Sequence, residues 1–176
     1  MTMGSGAENI DDIDQAIDEW WDRRLRDRPV LDRLMYSASE AANHSMLWYA
    51  LGAAQAAVRR DARPAWQLGV ALLGEAALVN GVIKTIFGRR RPVFKGPRPH
   101  SLRQPLTSSF PSGHASAAMV AASLLSRRSP WAPAYYALAL VVALSRIHVR
   151  IHHASDVTAG MAVGAVLGAI ARRLLR

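Results

Sequence analysis

The chain has 176 residues, of which 51% are hydrophobic and 7% aromatic, and its formal net charge is +9. It contains no cysteine, which excludes disulfides, a thiolate nucleophile and cysteine-based metal sites. The length suits one domain, and a basic chain with a hydrophobic body fits either a nucleic-acid binder or a membrane protein. The apolar residues fall in blocks with arginines clustered between them, and the interleaved aromatic residues of nucleic-acid stacking surfaces are absent. The composition therefore favours a membrane protein and argues against nucleic acid as a partner.

The first part of the chain is polar and then amphipathic. Residues 1–8 are small and polar and are predicted to be disordered. From Ile10 to Leu25, isoleucines and tryptophans recur on one face and aspartates on the other, which predicts an amphipathic helix that ends at Pro29. Two placements fit this helix, the membrane interface and the body of the protein. A second short helix is predicted over 31–43, and the first 30 residues hold no apolar core of signal-peptide type, so no cleaved secretion signal is expected.

Apolar blocks occupy most of the remaining chain, and each predicts a membrane helix. The blocks cover residues 46–58, 65–87, 115–125, 131–147 and 157–171. Only the second alone reaches the roughly 20 residues that span a hydrocarbon core, and the others are long enough if their polar ends line a shared site. Glycines at every fourth position of the last block allow close helix contact. The sequence therefore predicts an all-α membrane protein, an antiparallel bundle of about five transmembrane helices. Residues 9–43 would form interfacial helices and 44–176 the helical core of one domain, 9–176.

An antiparallel bundle divides the polar segments between two membrane faces. Segments 84–92, 111–114 and 145–156 share one face, whereas the arginine pairs at 59–60, 127–128 and 172–173 share the other. Glu75 and Asn80 lie inside the second block, where we expect them to hydrogen-bond between helices.

The stretch from Pro111 to His114 predicts a loop that enters a helix. Pro111 can only precede or begin a helix, and Ser112 is a favourable N-cap residue. The first amides of such a helix bind anions, and Gly113 lets a bulky anion approach the backbone closely. His114 adds a side chain that can carry a proton near neutral pH.

Five other residues on this face complete a pattern suited to phosphate chemistry. Lys84, Arg91 and Arg146 place three cations around the helix terminus. If His152 and Asp156 begin a helix, their spacing puts the carboxylate beside the imidazole, where it fixes the tautomer and leaves the other nitrogen free as a nucleophile or base. One histidine can then attack phosphorus while the other protonates the leaving oxygen. The neighbouring Arg89 to Arg91 run also suits a simple membrane boundary.

Three patterns resemble the signature motifs of the type 2 phosphatidic acid phosphatase superfamily, which also includes the vanadium haloperoxidases. They are K-x6-R-P over 84–92, P-S-G-H over 111–114 and S-R-x5-H-x3-D over 145–156, and all match in order. The resemblance implies that His152 is a nucleophile that forms a phosphohistidine, that Asp156 orients it, and that His114 is the acid and then the base. It further implies that the phosphoryl group is bound without a metal or other cofactor by Lys84, Arg91, Ser112, Gly113 and Arg146. Lipid phosphatases of the family commonly have six membrane helices, and here the amphipathic segment takes the place of the first.

The resemblance implies an integral membrane phosphatase whose substrate is a lipid phosphate or diphosphate. Phosphatidic acid, phosphatidylglycerol phosphate, polyprenyl diphosphates and polyprenyl-linked sugar phosphates all fit. The segment 93–110 is expected to cover the head group with its basic residues, Lys95, Arg98, His100 and Arg103. His153, next to the nucleophile, and His100 are expected to contact the head group or solvent.

Other functions have specific sequence requirements. A vanadium-dependent haloperoxidase is usually larger and soluble, and a soluble bacterial acid phosphatase should carry a signal peptide. A non-catalytic phospholipid-binding membrane protein would be expected to have lost one of His114, His152 and Asp156, which are all present. His148 and His152 have the spacing of a zinc pair, but no third ligand is evident.

The resemblance places the protein in a cell membrane, as a multi-pass protein of a bacterial inner membrane. With five helices, the polar tail lies on the active-site face, and a tail that stays in the cytoplasm gives a cytoplasmic site. The arginine pairs on the opposite face point the other way by the positive-inside rule. The sequence favours the cytoplasmic site, and it predicts no oligomeric state.

Overall fold

The computed structural model describes residues 4–94, 96, 98–105 and 107–175, with side chains from Asn9 onward. Helices and loops make up these residues, with no strand among them, which confirms the all-α prediction. The helices are α1 (Gly4–Arg24), α2 (Pro29–Ala41), α3 (Met46–Arg59), α4 (Arg63–Ala76), α5 (Lys84–Phe87), α6 (Gly113–Leu125), α7 (Ala132–His148) and α8 (Ala154–Leu174). A short 3₁₀ turn, Asn43–Ser45, precedes α3, and a π-helical segment, Ala77–Ile83, joins α4 to α5.

Two helices are long and apolar enough to cross a membrane. The first is the continuous helix Arg63–Phe87, which has 25 residues and a mean hydropathy of 1.6, and the second is α8, with 21 residues and a mean hydropathy of 1.5. α6 and α7 are shorter apolar helices. Large apolar side chains on the outside of the bundle, such as Trp66, Leu73 and Ile86, are exposed in the isolated chain. This pattern suits contact with lipid.

α6 is the innermost helix, with ten of its 13 residues buried. The glycines of α8 allow this packing, because a Cβ at Gly160 would come within 2.4 Å of the Ser112 carbonyl oxygen and one at Gly164 within 2.2 Å of the Ser116 carbonyl oxygen. The contact confirms the predicted role of these glycines. It also holds the start of α8 against the start of α6, where the third and second motifs lie.

The first helix boundary differs from the prediction. α1 ends at Arg24, and Pro29 begins α2 instead of ending α1, so the predicted role of Pro29 is wrong. Proline suits the first helical position because the N–H that it lacks would have no partner there. α1 begins at Gly4, inside the stretch predicted to be disordered, while residues 1–3 lie outside the described residues.

α1 docks on the body largely through its acidic face. Asp11 and Asp14 both pair with Arg89, and Trp21 is buried with its indole N–H donating to His148 Nδ1 at 3.1 Å. The outer face keeps apolar side chains exposed, namely Ile10, Ile13 and Trp20. The packing of α1 on the body is thus present, and its placement at the membrane interface stays a prediction.

The predicted separation of the polar segments is confirmed. Arg59 donates from Nη2 to the carbonyl oxygens of Arg127 and Arg128 at 3.2 and 3.1 Å, and Arg172 lines the same groove. The three motifs meet at the other end of the bundle.

Candidate active site

The motif residues surround one cavity of about 700 Å³. Its wall includes Lys84, Arg91, Gly113, His114 and His152. The other three predicted site residues lie buried directly behind this wall, namely Ser112, Arg146 and Asp156. The structure therefore brings together all eight residues that the sequence selected.

His152 lies in the loop between α7 and α8, two residues before α8 begins. Its Nδ1 is 3.6 Å from Asp156 Oδ2 and 3.4 Å from the Ser109 hydroxyl, whereas its Nε2 is 3.1 Å from Arg91 Nη1. A proton on Nδ1 suits the carboxylate side, so that the Nε2 lone pair accepts from Arg91 in the free protein. The predicted pairing of His152 with Asp156 is thus present, although His152 precedes the helix.

Asp156 is held by several donors besides His152. Oδ1 accepts from Arg89 Nη1 at 2.9 Å, and Oδ2 accepts from the Ser109 hydroxyl at 2.5 Å and the His153 amide at 2.9 Å. Because these groups fix both oxygens, the carboxylate cannot turn away from the imidazole.

Arg89 extends this network to α1. Its Nη2 donates to Asp11 at 2.6 Å and Asp14 at 2.9 Å, and Asp14 also accepts from the Ser155 amide at 2.8 Å. Burial acts to lower the pKa of Arg89, but its hydrogen bonds with Asp14 and Asp11 and the charge of Asp156 raise that pKa above its ordinary value. Arg89 thus remains a cation, and its interpretation as simple membrane-flanking charge is wrong.

The electrostatics of His152 favour the neutral ring. Burial lowers the pKa of His152 well below its ordinary value, and the charges of Arg146 and Arg91 lower it further, although Asp156 acts in the opposite direction. Burial likewise lowers the pKa of Arg91. A neutral imidazole has the free electron pair that a nucleophile needs.

His114, the second residue of α6, contacts the N-terminal segment. Its Nε2 is 3.0 Å from Asn43 Oδ1, and Asn43 Nδ2 donates to Glu40 Oε2 at 3.0 Å. The Glu40 carboxylate accepts from the Asn43 NH₂ group and so fixes the orientation of the Asn43 amide. Asn43 Oδ1 is therefore an acceptor, and His114 carries a proton on Nε2.

The phosphate-binding candidates retain unused donor capacity. Lys84 Nζ has one hydrogen bond, to the Thr107 hydroxyl at 3.4 Å. Arg146 donates to the Ser39 hydroxyl, and its Nε has no partner within the described part of the chain. Ser112 caps α6, and a Cβ on Gly113 would lie 3.1 Å from Asn80 Oδ1, so the approach to these amides is narrow. This end of the cavity can accept an anion.

The remaining histidines have structural contacts. His148 Nε2 is 2.8 Å from Asp32 Oδ1, which leaves it unavailable to pair with His152 on zinc. His153 caps α8, and His100 lies edge-on against Tyr36. The described residues contain no group of three or more His, Asp and Glu side chains placed to hold a metal.

The segment 93–110 contributes to the cavity only in part. Arg103, Gln104 and Thr107 line it, whereas Arg98 donates to the Val149 carbonyl oxygen and Lys95 lies outside the described residues. Glu75 also lines the cavity, and its Oε1 has no partner among the described residues. The buried Ser116 hydroxyl of α6 is close enough to interact with Glu75 and also has no partner among the described residues, so the expected hydrogen bond between helices stays a prediction.

Sequence reasoning missed the residues that support the motifs from a distance. Asp14 and Asn43 belong to the N-terminal segment, 75 residues from Arg89 and 71 from His114 respectively. No local pattern identifies such partners. Ser109 lies three residues before the second motif, and its only signal was that proximity.

The fold and the site together define a class of protein. It is a helical membrane protein whose polar end pairs a buried histidine and aspartate beside a helix terminus of the kind that binds anions. The PAP2 superfamily model matches residues 64–176, and the chain belongs to that superfamily. The match begins after α3, so the segment that supplies Asp14 and Asn43 lies outside it.

Individual relatives agree with this assignment. The chain is 33% identical over 146 residues to decaprenylphosphoryl-5-phosphoribose phosphatase of Mycobacterium tuberculosis, covering 83% of this chain and 81% of that protein. It is 39% identical over 106 residues to lipid A 1-phosphatase of Porphyromonas gingivalis, covering 57% of this chain and 21% of that protein.

Solved structures share the fold. A transmembrane PAP2-type phosphatidylglycerolphosphate phosphatase from Bacillus subtilis has a TM-score of 0.72 at 23% identity, over 94% of this chain and 86% of that one. Aquifex aeolicus LpxE has a TM-score of 0.67 at 25% identity, over 88% and 93% respectively. These likenesses confirm the predicted helical membrane fold, and the family model confirms the predicted family.

Proposed function

We propose that this protein is a membrane phosphatase that hydrolyses a phosphomonoester or diphosphate of a lipid through a phosphohistidine, without a metal ion. The observation that carries the proposal is the orientation of His152. Asp156 lies on its Nδ1 side, and its other nitrogen, Nε2, meets Arg91 at the wall of a cavity that His114 and Lys84 also line. A phosphate that binds Arg91 would free the Nε2 lone pair for attack.

In the first step, His152 Nε2 attacks phosphorus and the bond to the leaving lipid oxygen breaks. In this state the bound phosphate dianion offsets the burial and the neighbouring cations that oppose a second proton on His114 in the free protein. The doubly protonated His114 then gives a proton to the leaving oxygen. Asp156 stabilises the positive charge that the phosphorylated His152 ring acquires. In the second step, neutral His114 removes a proton from water, which attacks phosphorus and releases phosphate, and the phosphorus–nitrogen bond breaks.

Charge on the transferring phosphoryl group needs donors that are in place before the reaction. Lys84, Arg91 and Arg146 are the cations around the cavity, and Gly113 and His114 supply free amides at the start of α6. Such preorganised donors account for most of catalysis in phosphoryl transfer.

The relatives support a lipid-linked substrate, since their names specify a decaprenylphosphoryl phosphoribose and lipid A. The cavity extends from the polar end between α3, α4 and α6, where Tyr49, Leu72 and Ala117 line it. This apolar part is suited to a lipid chain.

The direct test is phosphate release by detergent-purified protein from phosphatidic acid, phosphatidylglycerol phosphate and polyprenyl-linked phosphates, with EDTA present. Release by the wild type and not by His152→Ala supports the proposal. A phosphoenzyme that is labile to acid and stable to alkali, absent in His152→Ala, supports the intermediate. No release from any lipid would contradict the proposal and direct the next assay to vanadate, bromide and peroxide.

We also propose that the active-site end faces the cytoplasm, with the N-terminal segment that packs on it. Because the chain has no cysteine, Asp61→Cys creates a single thiol in the loop at the other end of the bundle. An impermeant thiol reagent applied to intact cells should label it. Protection of this cysteine, with labelling after the cells are opened, would place the active site outside.

A further inference from the structure

Glu75 is a buried carboxylate at the centre of a membrane helix. It is the thirteenth residue of the 25-residue helix Arg63–Phe87, and only 4% of it is exposed. Its Oε1 makes no hydrogen bond of ordinary geometry among the described residues, and the neighbouring Ser116 hydroxyl, a competing donor, is unpaired there as well. An ionisable group at this depth is costly, and an unpaired acceptor adds to that cost. A ligand that donates a hydrogen bond would remove part of this penalty.

Glu75 shares its cavity with the reacting groups, because Lys84, His114 and His152 line the same space. Nine positions separate Glu75 from Lys84, which is roughly 13 Å along the helix axis and about 180° around an α-helix. The π-helical segment Ala77–Ile83 lies between them, and its longer hydrogen-bonded turns hold more residues per turn. This local change of pitch rotates Lys84 toward the side of Glu75, so that both reach one cavity.

The charge of the cavity restricts what Glu75 can bind. Lys84, Arg91 and Arg103 line it, and they would repel a ligand ammonium group. The carboxylate itself repels a second phosphate. With cations and anions excluded, the ligand group that Glu75 can bind is an uncharged hydrogen-bond donor. The amide side chains of Asn43 and Asn80 along the same wall suit such a polar, uncharged group.

The depth of Glu75 locates that donor within the substrate. Lys84 is near the end of the helix and Glu75 at its middle. A lipid whose phosphate lies at Lys84 and His114 directs its tail toward the membrane centre. We infer that Glu75 accepts a hydrogen bond from a hydroxyl group of the lipid head group, between the reacting phosphate and the tail, and so selects hydroxylated head groups. This inference rests on the proposed phosphatase activity.

The test uses two lipids that differ in one hydroxyl group. They are lysophosphatidic acid with one oleoyl chain and the analogue in which hydrogen replaces the glycerol hydroxyl. The wild type should favour the hydroxylated lipid by about tenfold in kcat/KM, the expected value of one hydrogen bond to a carboxylate. Glu75→Leu should bring the ratio close to one by slowing the hydroxylated substrate selectively. Glu75→Gln should retain part of the preference, because the amide oxygen still accepts a hydrogen bond.

A matched control is Gln55→Leu. Gln55 is another buried polar residue of a membrane helix, but its Nε2 donates to the Leu125 carbonyl oxygen and the Tyr135 hydroxyl, away from the cavity. This variant should keep the wild-type ratio.

The outcomes separate the inference from the proposed function. Equal use of both lipids by the wild type, or an equal loss on both lipids in Glu75→Leu, would overturn the role of Glu75 and leave the phosphatase proposal intact. Absence of phosphate release from every lipid of the panel would overturn the phosphatase proposal and the inference together. If Glu75→Leu does not fold, the inference is decided by the kcat/KM ratio of the two lipids in the wild type and in Glu75→Gln.

Discussion

The two sides of the cavity differ in how completely their polar groups are paired. On one side, Asp156 accepts from Arg89, Ser109 and the His153 amide and lies beside His152. On the other, Glu75 Oε1 has no partner in the described part of the chain. Buried polar atoms nearly always have a hydrogen-bond partner, so an atom without one needs an explanation. The contrast suggests that the two sides of the cavity have different roles. Under the proposed function, the paired side is set for chemistry before substrate arrives, and the unpaired side contacts the substrate head group.

The N-terminal segment contributes to the paired side. Asp14 binds both Arg89 and the Ser155 amide, and so fixes the start of α8, which carries Asp156. The family match begins only at residue 64. This chain therefore completes a family site with contacts from outside the matched region.

The largest expected effect comes from removing the nucleophile. His152→Ala should lower turnover by at least about 10³-fold, because His114, the other imidazole of the cavity, has the proposed task of proton transfer and is not placed as the nucleophile. The measurement is phosphate release from the best lipid of the panel. His100→Ala, which removes an exposed histidine beside Tyr36, is the matched control and should retain activity. Substantial residual turnover in His152→Ala would refute the role of His152.

Asp156→Asn tests the same side more selectively. The amide keeps the size of the side chain but offers one acceptor oxygen where the carboxylate offers two, and it cannot stabilise a charged imidazole. We expect a loss in kcat of about 10²–10⁴-fold with the fold retained, by analogy with other His–Asp pairs. Phosphate release and thermal unfolding in detergent measure the two properties. Wild-type turnover in this variant would mean that Asp156 does not orient His152.

Arg89→Gln and Asp14→Asn should loosen the paired side without touching the phosphate. Each removes a charged hydrogen bond from the network behind Asp156, so we expect kcat to fall by about tenfold while KM stays near the wild-type value. Asp18→Asn is the control, because Asp18 pairs with Arg26, just after the end of α1, and not with Arg89. A rise in KM with unchanged kcat would assign Arg89 to substrate binding instead.

The sequence predicted the helices, and its motifs selected eight residues that meet at one end of the bundle, because both depend on local patterns. Apolar periodicity, the capping serine and fixed motif spacing all operate within a few turns of chain. The partners of Arg89 were not predictable, since which carboxylate meets it depends on how α1 packs, and an amphipathic pattern does not state which face docks. The meeting of Glu75 and Lys84 in one cavity was missed for a related reason, because the π-helical segment between them has no sequence signal of its own.

Asn43→Ala should have the smallest effect of this series. It removes the acceptor of the His114 Nε2–H bond, which is 3.0 Å long in the free protein and which the leaving oxygen must replace during the reaction. Loss of one neutral hydrogen bond that only orients the ring is expected to lower kcat by about two- to tenfold, with little change in KM. Glu40→Gln keeps an acceptor for Asn43 Nδ2 and should be milder still. A kcat for Asn43→Ala as low as that of Asp156→Asn would show that the His114 side depends on fixed contacts as strongly as the His152 side does.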